Sequence, residues 1–294
     1  MTRIGMVYSR LRNDERMLIE AAQRKGIEVV PIFDDEAVLD VHRRPWDVDV
    51  VLERSLSYYR GLYVLKFLAA HGVPAVNRFE VAQRCGDKAE TSLLLARAGV
   101  PTPATRVAFT REGALRACAE VGYPAVLKPT MGSWARLLAK VDNAEQADMV
   151  LEHKEALANP LQQVYYVQAY VAKPAGTAPD GTAVRNRDIR AFVVGDETIA
   201  AIYRNSPHWI TNTAQGGKAT NCPVTPQLHE LCQKAAASVG GGVLALDLME
   251  DASAPGGLTV HEINHTMEFK NSVAPTGVDI PGAILDFCMR EAKR

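Results

Sequence analysis

Two apolar segments near the C-terminus, residues 244–250 (LALDLME) and 258–265 (LTVHEINH), constrain the fold more than any other part of the sequence. The seven residues between them, DASAPGG, are rich in the Pro and Gly that reverse a chain. Because the flanking segments are apolar and β-branched, they predict an antiparallel hairpin. Pairing about the middle of the turn places Asp247 opposite Glu262, and alternation along a strand turns Glu262 and Asn264 to one face. Two carboxylates and an amide oxygen on one patch favour Mg²⁺ over Zn²⁺.

The same segment also matches a zinc-peptidase pattern. His261, Glu262 and His265 fit H-E-x-x-H, but that motif binds zinc on a helix, where positions i and i+4 share a face. The segment follows two glycines and is rich in Thr, Val, Ile and Asn, which is typical of a strand. On a strand the two histidines share one face and Glu262 points to the other. We therefore expect a site of oxygen ligands, and the alternative from these residues alone is a solvated hairpin with incidental charges.

The overall composition limits the class of protein. The chain has 294 residues, enough for two or three domains, and its 33 Lys and Arg against 34 Asp and Glu leave no basic excess for nucleic acid or a membrane surface. It contains no run of 18 apolar residues that would predict a transmembrane helix, and the N-terminus has no signal-peptide core. Five scattered cysteines without a C-x-x-C pair are typical of free thiols in a reducing cytosol. We therefore expect a cytoplasmic protein without a nucleic-acid or membrane partner.

Strand-like and helix-like segments alternate through the first third of the chain. Apolar strand patterns occupy residues 4–8, 28–33, 48–53 and 73–77. Helical patterns occupy residues 56–71 and residues 13–25, the latter with Asn13 as its cap and Gly26 as its stop. Short connections between such segments predict a parallel sheet covered on both faces. The region has no G-x-G-x-x-G and the chain no G-x-x-x-x-G-K-[ST], so the sequence carries neither a Rossmann fingerprint nor a P-loop.

A Pro-rich step at residues 100–103 leads into a region with a different pattern. Two helical patterns there span 111–121 and 144–157, and strand patterns span 105–109, 123–129, 136–141 and 165–171. Residues 175–186 (AGTAPDGTAVRN) predict an exposed flexible loop. The sequence therefore predicts an α/β domain at the N-terminus that is followed by an α+β region.

The remaining elements surround the predicted metal hairpin. Strands at 189–194 and 198–203 meet at Gly195-Asp196, a strong hairpin signal, and a polar loop follows at 204–220. Thr225-Pro226 begins a helix, with Thr as its cap and Pro in its first turn, and the last helix spans 281–292.

Two lysines and two arginines are candidates for binding a polyanion beside the metal hairpin. Lys128 ends a strand, and the loop after it contains Gly132 and Ser133, which allow backbone N–H groups to approach phosphate. Lys88 precedes a helix. Arg190 and Arg204 lie on adjacent strands, and guanidinium groups pair bidentately with phosphate and carboxylate. Each is weak evidence alone, but their combination with an oxygen-ligand site favours nucleotide binding.

These motifs resemble those of the ATP-grasp superfamily and, within it, the LysX-type ligases related to ribosomal-protein glutamate ligases. The resemblance covers essentially the whole chain and rests on residues 85–88 (CGDK), 126–140, 188–204, 208–217 and 261–282. It implies an N-terminal parallel α/β domain, the pre-ATP-grasp domain, at residues 1–84. It further implies a first ATP-grasp part with a small lid subdomain at 85–171 and a C-terminal subdomain with the metal site at 172–294. ATP would bind between two α+β subdomains.

The resemblance also implies a role for each matching residue. ATP would be contacted by Lys88, Lys128, Gly132, Ser133, Trp134, Gln168, Tyr170 and Val171. Asp247, Glu262 and Asn264 would hold two Mg²⁺ ions, for which Mn²⁺ is the alternative. Arg190 and Arg204 would be catalytic and stabilise the transferred phosphoryl group. The chain departs from the family where Ala169 and Ala172 replace Glu near the ribose, so the ribose contact is unassigned, with Asp180 as a candidate substitute.

The implied reaction is an ADP-forming ligation of an amine to a carboxylate through an acyl phosphate. The carboxylate would belong to the C-terminal Glu of a small acidic carrier protein, LysW. The amine would be that of L-2-aminoadipate, in lysine biosynthesis by the aminoadipate pathway. The alternative is glutamate, as in ArgX-type ligases of arginine biosynthesis or in ribosomal-protein glutamate ligases. The candidate substrate residues are His208, Asn212, Thr213, Asn271 and Ser272.

Two further expectations concern partners. An acidic carrier favours a basic rim on the enzyme, for which the candidates are Arg10, Arg12, Arg54 and Arg60. The resemblance also implies a homo-oligomer, either a dimer or a tetramer.

Overall fold

The computed structural model describes residues 2–132, 136–156, 163–213 and 216–293. Sheets of four, four and five strands form its framework in the described residues, together with one two-stranded ribbon. No helix in this part of the chain is long and apolar enough to cross a membrane.

The N-terminal sheet is parallel, as the sequence predicts. Its strands are β1 (Arg3–Tyr8), β2 (Glu28–Phe33), β3 (Val50–Arg54) and β4 (Ala75–Val76), in the order β2-β1-β3-β4. Helix α1 (Asn13–Lys25) covers one face and helix α2 (Tyr58–Ala70) covers the other. Arg12 rather than the expected Asn13 is the residue that caps α1, because the Glu15 carboxylate accepts a hydrogen bond from the Arg12 backbone N–H at 3.1 Å. Gly26 ends the helix in the left-handed conformation that its sequence position predicts.

Two helices that follow were not resolved as separate elements in the sequence pattern. These are α3 (Phe79–Gly86) and α4 (Lys88–Arg97), joined at Asp87, whose side chain caps α4 by accepting from the N–H groups of Ala89 and Glu90. This cap fixes Lys88 at the first position of a helix, where its side chain is free to turn toward the neighbouring sheet.

A small antiparallel sheet with two helices forms the next unit. Its order is β5-β8-β6-β7, and its core lies between that sheet and the two helices. The elements are β5 (Thr105–Ala108), α5 (Arg111–Val121), β6 (Ala125–Lys128), β7 (Ala139–Val141), α6 (Ala144–Ala156) and β8 (Tyr165–Ala169). The strands are shorter than predicted at their ends, but all four exist.

The C-terminal sheet is antiparallel with the order β13-β12-β11-β14-β15. Its strands are β11 (Asn186–Val194), β12 (Glu197–Ser206), β13 (Lys218–Asn221), β14 (Val243–Glu250) and β15 (Leu258–Asn264). Helix α7 (Pro226–Val239) covers one face with α3 and α4, whereas α9 (Ile280–Glu291) and the short α8 (Val273–Thr276) lie toward the other. The predicted polar loop at 204–220 is therefore partly strand, because its first three residues continue β12 and its last three belong to β13.

Residues 175–186 are mostly exposed, as their composition predicts, but they also contain a short ribbon. Its strands are β9 (Gly176–Thr177) and β10 (Ala183–Val184), and Ala178 between them is buried. Gly176 allows this packing, since a Cβ there would lie 2.2 Å from the Asn205 side-chain oxygen.

The hydrophobic cores cross the predicted domain limits. Helix α9, at the C-terminus, packs on α1 and the N-terminal sheet, so one core contains Leu18, Ile284 and Phe192 from three distant parts of the chain. Helices α3 and α4 share a core with α7 rather than with the small sheet. The domain limits at residues 84 and 171 stay predictions. The shared cores place the N-terminal and C-terminal sheets beside one cavity.

Candidate active site

A cavity of about 290 Å³ lies where the three sheets meet. Its wall includes side chains from the ends of β3, β6, β8, β11, β12, β14 and β15. Seven Lys and Arg side chains face four Asp and Glu side chains there, in an otherwise nearly neutral protein. The basic residues are Arg12, Lys88, Lys128, Arg136, Lys173, Arg190 and Arg204, and the acidic ones are Asp188, Asp247, Glu262 and Glu268. This local excess of positive charge suits a polyanionic ligand.

The metal hairpin forms as predicted. Strands β14 and β15 pair in antiparallel register with Asp247 opposite Glu262, and the register shifts by one residue directly after that pair. The zinc-peptidase pattern therefore lies on a strand and lacks the helix it requires. His261 is buried with its Nε2 3.1 Å from the Thr259 hydroxyl, and His265 packs edge-on against Tyr58. Both histidines pack within the fold.

Asp247 is held by two arginines, Arg190 from the adjacent strand β11 and Arg204 from β12 beyond it. Arg190 donates to it from Nε at 2.7 Å and from a terminal nitrogen at 2.9 Å, and Arg204 donates at 3.2 Å. The register explains this arrangement, because Arg190 lies opposite Asp247 across β11 and β14. Burial alone would raise the pKa of Asp247, but the two guanidinium charges outweigh burial and hold that pKa well below its usual range. Asp247 is therefore ionised throughout the physiological range.

Arg204 is buried and takes part in a second ionic group. Its Nε and a terminal nitrogen donate to both oxygens of Asp188, at 2.7 and 2.8 Å, and Lys173 donates to the same carboxylate at 3.0 Å. Thr211 also donates a hydroxyl hydrogen bond to Asp188. This Thr comes from the segment after β12, which must bend sharply, since a Cβ on Gly217 would lie 2.1 Å from the Thr211 carbonyl oxygen. Both arginines that the sequence predicts to be catalytic donate to Asp247, so this carboxylate brings them together.

Glu262 pairs with Lys88 across the cavity. The Lys88 amine lies 3.2 Å from the Glu262 carboxylate and donates to the Gly132 carbonyl at 2.7 Å. Its backbone N–H also donates to the Thr130 carbonyl, which ties the start of α4 to the loop after β6. Lys88, Gly132 and Glu262, predicted from three separate motifs, are therefore within contact of one another.

Asp247, Glu262 and Asn264 supply the oxygen donors that Mg²⁺ prefers. The Asn264 side chain has a buried amide nitrogen that finds no hydrogen-bond partner among the described residues, so this amide is not committed to the protein. Asp247 Oδ1 accepts one arginine hydrogen bond and retains a lone pair, whereas Oδ2 already accepts two. The three residues fit Mg²⁺. Within the described ranges, no group of three or more His, Cys, Asp or Glu side chains is placed to hold a metal, so the amide is an essential part of the set.

Lys128 has a neutral partner instead of a carboxylate. Its amine donates to the Gln168 side-chain oxygen at 2.7 Å, and the Gln168 amide nitrogen donates to the Tyr166 hydroxyl at 2.8 Å. That hydroxyl lies 2.8 Å from the Ser92 hydroxyl on α4. Burial lowers the pKa of Lys128 to about 8, with the Glu262 charge opposing the shift. Gln168, expected to contact the nucleotide, therefore also positions Lys128, the lysine predicted to bind phosphate.

The segment after β8 forms an aromatic part of the wall. The Tyr170 ring meets Trp209 edge-on at 6.3 Å, and the Lys140 amine lies 5.1 Å from the Tyr170 ring centre. The backbone N–H groups of Ala169 and Tyr170 donate to the carbonyls of Ala104 and Pro124. Hydrogen bonding to an adenine edge would therefore fall to Val171, which also lines the cavity.

The structure gathers most of the predicted residues but not all of them. The cavity wall contains Lys88, Lys128, Gly132, Gln168, Tyr170, Val171, Arg190, Arg204, Asn212, Thr213, Asp247, Glu262 and Asn264. His208 is exposed and lies outside the wall, as do exposed Asn271 and buried Ser272 at the start of α8. Ser133 and Trp134 lie outside the described residues. The candidate ribose contact, Asp180, lies in a turn where it accepts from the Thr182 backbone and is not part of the wall.

Sequence reasoning gave no role to four charged residues of the wall, namely Arg136, Lys173, Asp188 and Glu268. The Lys173 side chain is 5% exposed and the residue precedes a proline, as Lys128 does, so the repeated Lys-Pro pair at a strand end was a usable signal. Arg12 was expected on a basic rim for the carrier but lines the cavity, whereas Arg54 is buried and cannot serve as a rim. Glu268 had no motif to mark it.

Comparison with known proteins gives this arrangement a family. Residues 4–84 match the LysX preATP-grasp domain, and residues 85–288 match the RimK-like ATP-grasp domain. The alpha-aminoadipate–LysW ligase LysX of Saccharolobus solfataricus is 35% identical over 278 residues, which cover 94% of this chain and 96% of that protein. The glutamate–LysW ligase ArgX of Sulfurisphaera tokodaii is 29% identical over 287 residues, which cover 97% of each.

A solved structure agrees with these matches. The RimK domain ATP-grasp protein from Sphaerobacter thermophilus superimposes with a TM-score of 0.80 at 26% identity, covering 98% of this chain and 100% of that chain. The expected ATP-grasp fold with a parallel N-terminal sheet is confirmed. ATP-grasp ligases generally use ATP and Mg²⁺, which agrees with the basic cavity and its oxygen ligands. The chain belongs to the RimK-like ATP-grasp family and is an ATP-grasp ligase.

Proposed function

We propose that this ligase joins the α-amino group of L-2-aminoadipate to the γ-carboxyl of the C-terminal Glu of a LysW-type carrier protein, with ATP converted to ADP. The observation that carries the chemistry is one cavity that is lined by seven basic side chains and contains the Asp247–Glu262 pair, which Arg190, Arg204 and Lys88 contact. The choice of amino acid follows the full-length relatives, since those named LysX are 33–35% identical and those named ArgX are 29% identical.

The two phosphate-binding lysines would act from different sides of the cavity. Lys128 approaches from the small sheet and Lys88 from α4, and together they would contact the α- and β-phosphates. Lys88 would exchange the Glu262 carboxylate for phosphate, which releases Glu262 to bind metal at the moment the nucleotide arrives. Asp247, Glu262 and Asn264 would hold Mg²⁺, which would neutralise charge on the phosphates.

The arginine pair would stabilise the phosphoryl group during transfer. Asp247 orients Arg190, and Asp188 orients Arg204 through a two-point contact, so neither guanidinium has to reorganise when charge develops. The γ-phosphoryl group moves to the carrier carboxylate and forms an acyl phosphate with release of ADP. The ammonium group of the amino acid first loses a proton to solvent, and the free amine attacks the acyl carbon. Phosphate then leaves, and the nitrogen loses a second proton. Phosphate is a far better leaving group than hydroxide, which makes the amide bond accessible.

Mass spectrometry of a carrier protein ending in Glu tests the proposal. The carrier is incubated with enzyme, ATP and Mg²⁺ together with aminoadipate, and ADP release is followed in parallel. We expect one aminoadipoyl mass addition on the terminal residue, and ADP formation that requires both the carrier and the amino acid. ADP formed at the same rate without the carrier would overturn the proposal.

Glutamate is the second candidate amino acid, favoured by the similarity to ArgX over 97% of the chain. Competition between the two amino acids in the same reaction gives their ratio of kcat/KM. We expect aminoadipate to be preferred, and because one methylene contributes only about 1–3 kcal/mol, glutamate should still react slowly.

A further inference from the structure

One part of the cavity wall carries an ion pair that the roles above do not use. A terminal nitrogen of Arg12 lies 3.0 Å from the Glu268 carboxylate, and both side chains remain partly exposed, by 13% and 29%. Ser55 and Thr266 line the same part of the wall. Opposite charges that remain open to a cavity can bind a ligand that carries both charges itself.

The Arg12 guanidinium is held rigidly from behind. Its Nε and second terminal nitrogen donate to the two oxygens of Glu15, at 2.9 and 2.7 Å, and Glu15 is fully buried. Arg54 in turn donates to Glu15 at 3.0 Å and to the Met267 carbonyl at 2.6 Å. One terminal nitrogen of Arg12 thus faces Glu268. The hydrogen bonds from its other two guanidinium nitrogens to Glu15 fix the orientation of the group.

Glu268 is fixed by its backbone on both sides. The carbonyl of Met267 accepts from Arg54, and the N–H of Phe269 donates to the Asp14 carboxylate at 2.6 Å. The next N–H, of Lys270, donates to the same Asp14 oxygen at 3.0 Å. Both members of the pair are therefore preorganised by the first turn of α1, which reduces the ordering cost of binding a ligand.

We propose that Arg12 and Glu268 form the subsite for the free amino acid, Arg12 binding its α-carboxylate and Glu268 its ammonium group. This assignment rests on the proposed ligase function and names the group of the substrate that each residue takes. On binding, each side chain exchanges its protein partner for a ligand group of the same charge, so neither charge is left unpaired.

The charge pattern selects the free amino acid over the carrier's terminal Glu. That terminal residue has two carboxylates and no ammonium, because its nitrogen lies in a peptide bond. Glu268 would repel it, whereas a free amino acid supplies a cation for Glu268 and an anion for Arg12. The subsite therefore serves the nucleophile and leaves the carrier to the remainder of the cavity.

Hydroxylamine allows activation of the carrier carboxylate to be measured separately from binding of the free amino acid. With the holoenzyme assay of carrier, ATP and Mg²⁺, hydroxylamine replaces the amino acid as nucleophile and converts the acyl phosphate to a hydroxamate. The test variant is Glu268→Gln, and the matched control is Asp286→Asn, which removes a carboxylate that pairs with Lys25 of α1 outside the cavity. Arg12→Lys is the second variant, because it keeps the charge and loses the fork geometry.

We expect Glu268→Gln to raise the KM for the amino acid at least about tenfold. Hydroxamate formation and the KM for the carrier should stay within about twofold of wild type. Arg12→Lys should also raise the KM for the amino acid. Asp286→Asn should change neither amino-acid ligation nor hydroxamate formation. The proposal is overturned if amino-acid ligation and hydroxamate formation fall together in Glu268→Gln and Arg12→Lys, because this would indicate a structural ion pair. It is also overturned if the KM for the carrier rises instead of the KM for the amino acid. Absence of hydroxamate with wild-type enzyme would overturn the proposed activation of the carrier carboxylate as an acyl phosphate, a failure visible without any variant.

Discussion

The two sides of the cavity differ in how they neutralise their charged side chains. At the metal hairpin, Asp247 and Asp188 each meet a two-point guanidinium contact, from Arg190 and Arg204. At the small sheet, the Lys128 amine donates to the neutral amide of Gln168 and lies 5.9 Å from the Tyr166 ring centre, with no carboxylate at salt-bridge distance among the described residues. One side therefore has charges fixed by opposite charges, and the other has a charge supported by neutral groups.

This difference has consequences for stability and for pH response. A buried ion pair that loses one member leaves an uncompensated charge, so the metal side should be costly to alter. A buried lysine without a carboxylate partner gives up its proton more readily, so the phosphate side should respond to pH. Glu262 and Lys88 lie between the two sides and connect them.

Asp247→Asn should have the largest effect because it damages both catalysis and the fold. The variant leaves Arg190 with a neutral partner, removes one of the two carboxylates that Arg204 contacts, and removes a predicted metal ligand. We expect kcat to fall at least about a hundredfold and the free energy of unfolding to fall by about 3 kcal/mol. Chemical denaturation and ADP release measure the two effects. Stability equal to wild type would show that the metal side is not fixed by its ion pairs.

The pH dependence of the Asp247 contribution has a defined sign. Because the folded pKa is depressed below the usual value of 3.8, the ion pair stabilises the protein above that value. Its contribution should disappear as the pH falls further, toward the folded pKa. In Asp247→Asn, this part of the acid destabilisation should be missing from the denaturation series.

Glu262→Gln should affect activity with little effect on the fold. Glu262 is partly exposed, and Lys88, its partner, keeps the Gly132 carbonyl as a hydrogen-bond acceptor when Glu262 is neutralised. We expect kcat to fall about a hundredfold, because a predicted metal ligand is lost, and the midpoint of denaturation to stay close to wild type. Glu250→Gln is the matched control, since Glu250 also lies on the hairpin and pairs with Arg187. Equal losses in both variants would argue against a metal role for Glu262.

The phosphate side should show a pH response of intermediate size. With a pKa of about 8, Lys128 loses its charge above that pH in the free enzyme, so kcat/KM for ATP should fall about tenfold per pH unit. Gln168→Glu supplies an anionic partner and should move this decline to higher pH. Gln168→Leu, which removes the hydrogen bond without adding charge, should not. An unchanged profile in Gln168→Glu would separate Lys128 from the pH response.

Stability should change in the opposite direction over the same pH range. Between pH 8 and about 10.5 the unfolded chain keeps a proton on Lys128 that the folded protein has lost. The unfolded state binds more protons there, so the free energy of unfolding contributed by this residue rises with pH. Lys128→Met should abolish both trends.

The sequence predicted best where a residue's role follows from its neighbours along the chain. The pairing of Asp247 with Glu262 follows from the length of one turn, and the parallel sheet follows from the alternation of its elements. It predicted less where the role depends on packing between distant elements. The contact of Arg12 with Glu268 joins residues 256 positions apart, and the packing of α9 on α1 crosses nearly the whole chain. No local pattern specifies such contacts, because they depend on how three sheets are placed together.

The smallest effect is expected at Asn271, which lies on neither side of the cavity. The sequence predicts that Asn271 and Ser272 select aminoadipate over glutamate, yet Asn271 is exposed and outside the cavity wall. Asn271→Ala should therefore change the ratio of kcat/KM for the two amino acids by less than about tenfold, below the range of about 10–200-fold that one methylene contributes. Ser272 is buried and its carbonyl accepts from Thr276, so Asn271 is the cleaner position to alter. A larger shift would mean that the 267–273 segment turns inward when substrates bind and that Asn271 contacts the amino acid beside Glu268.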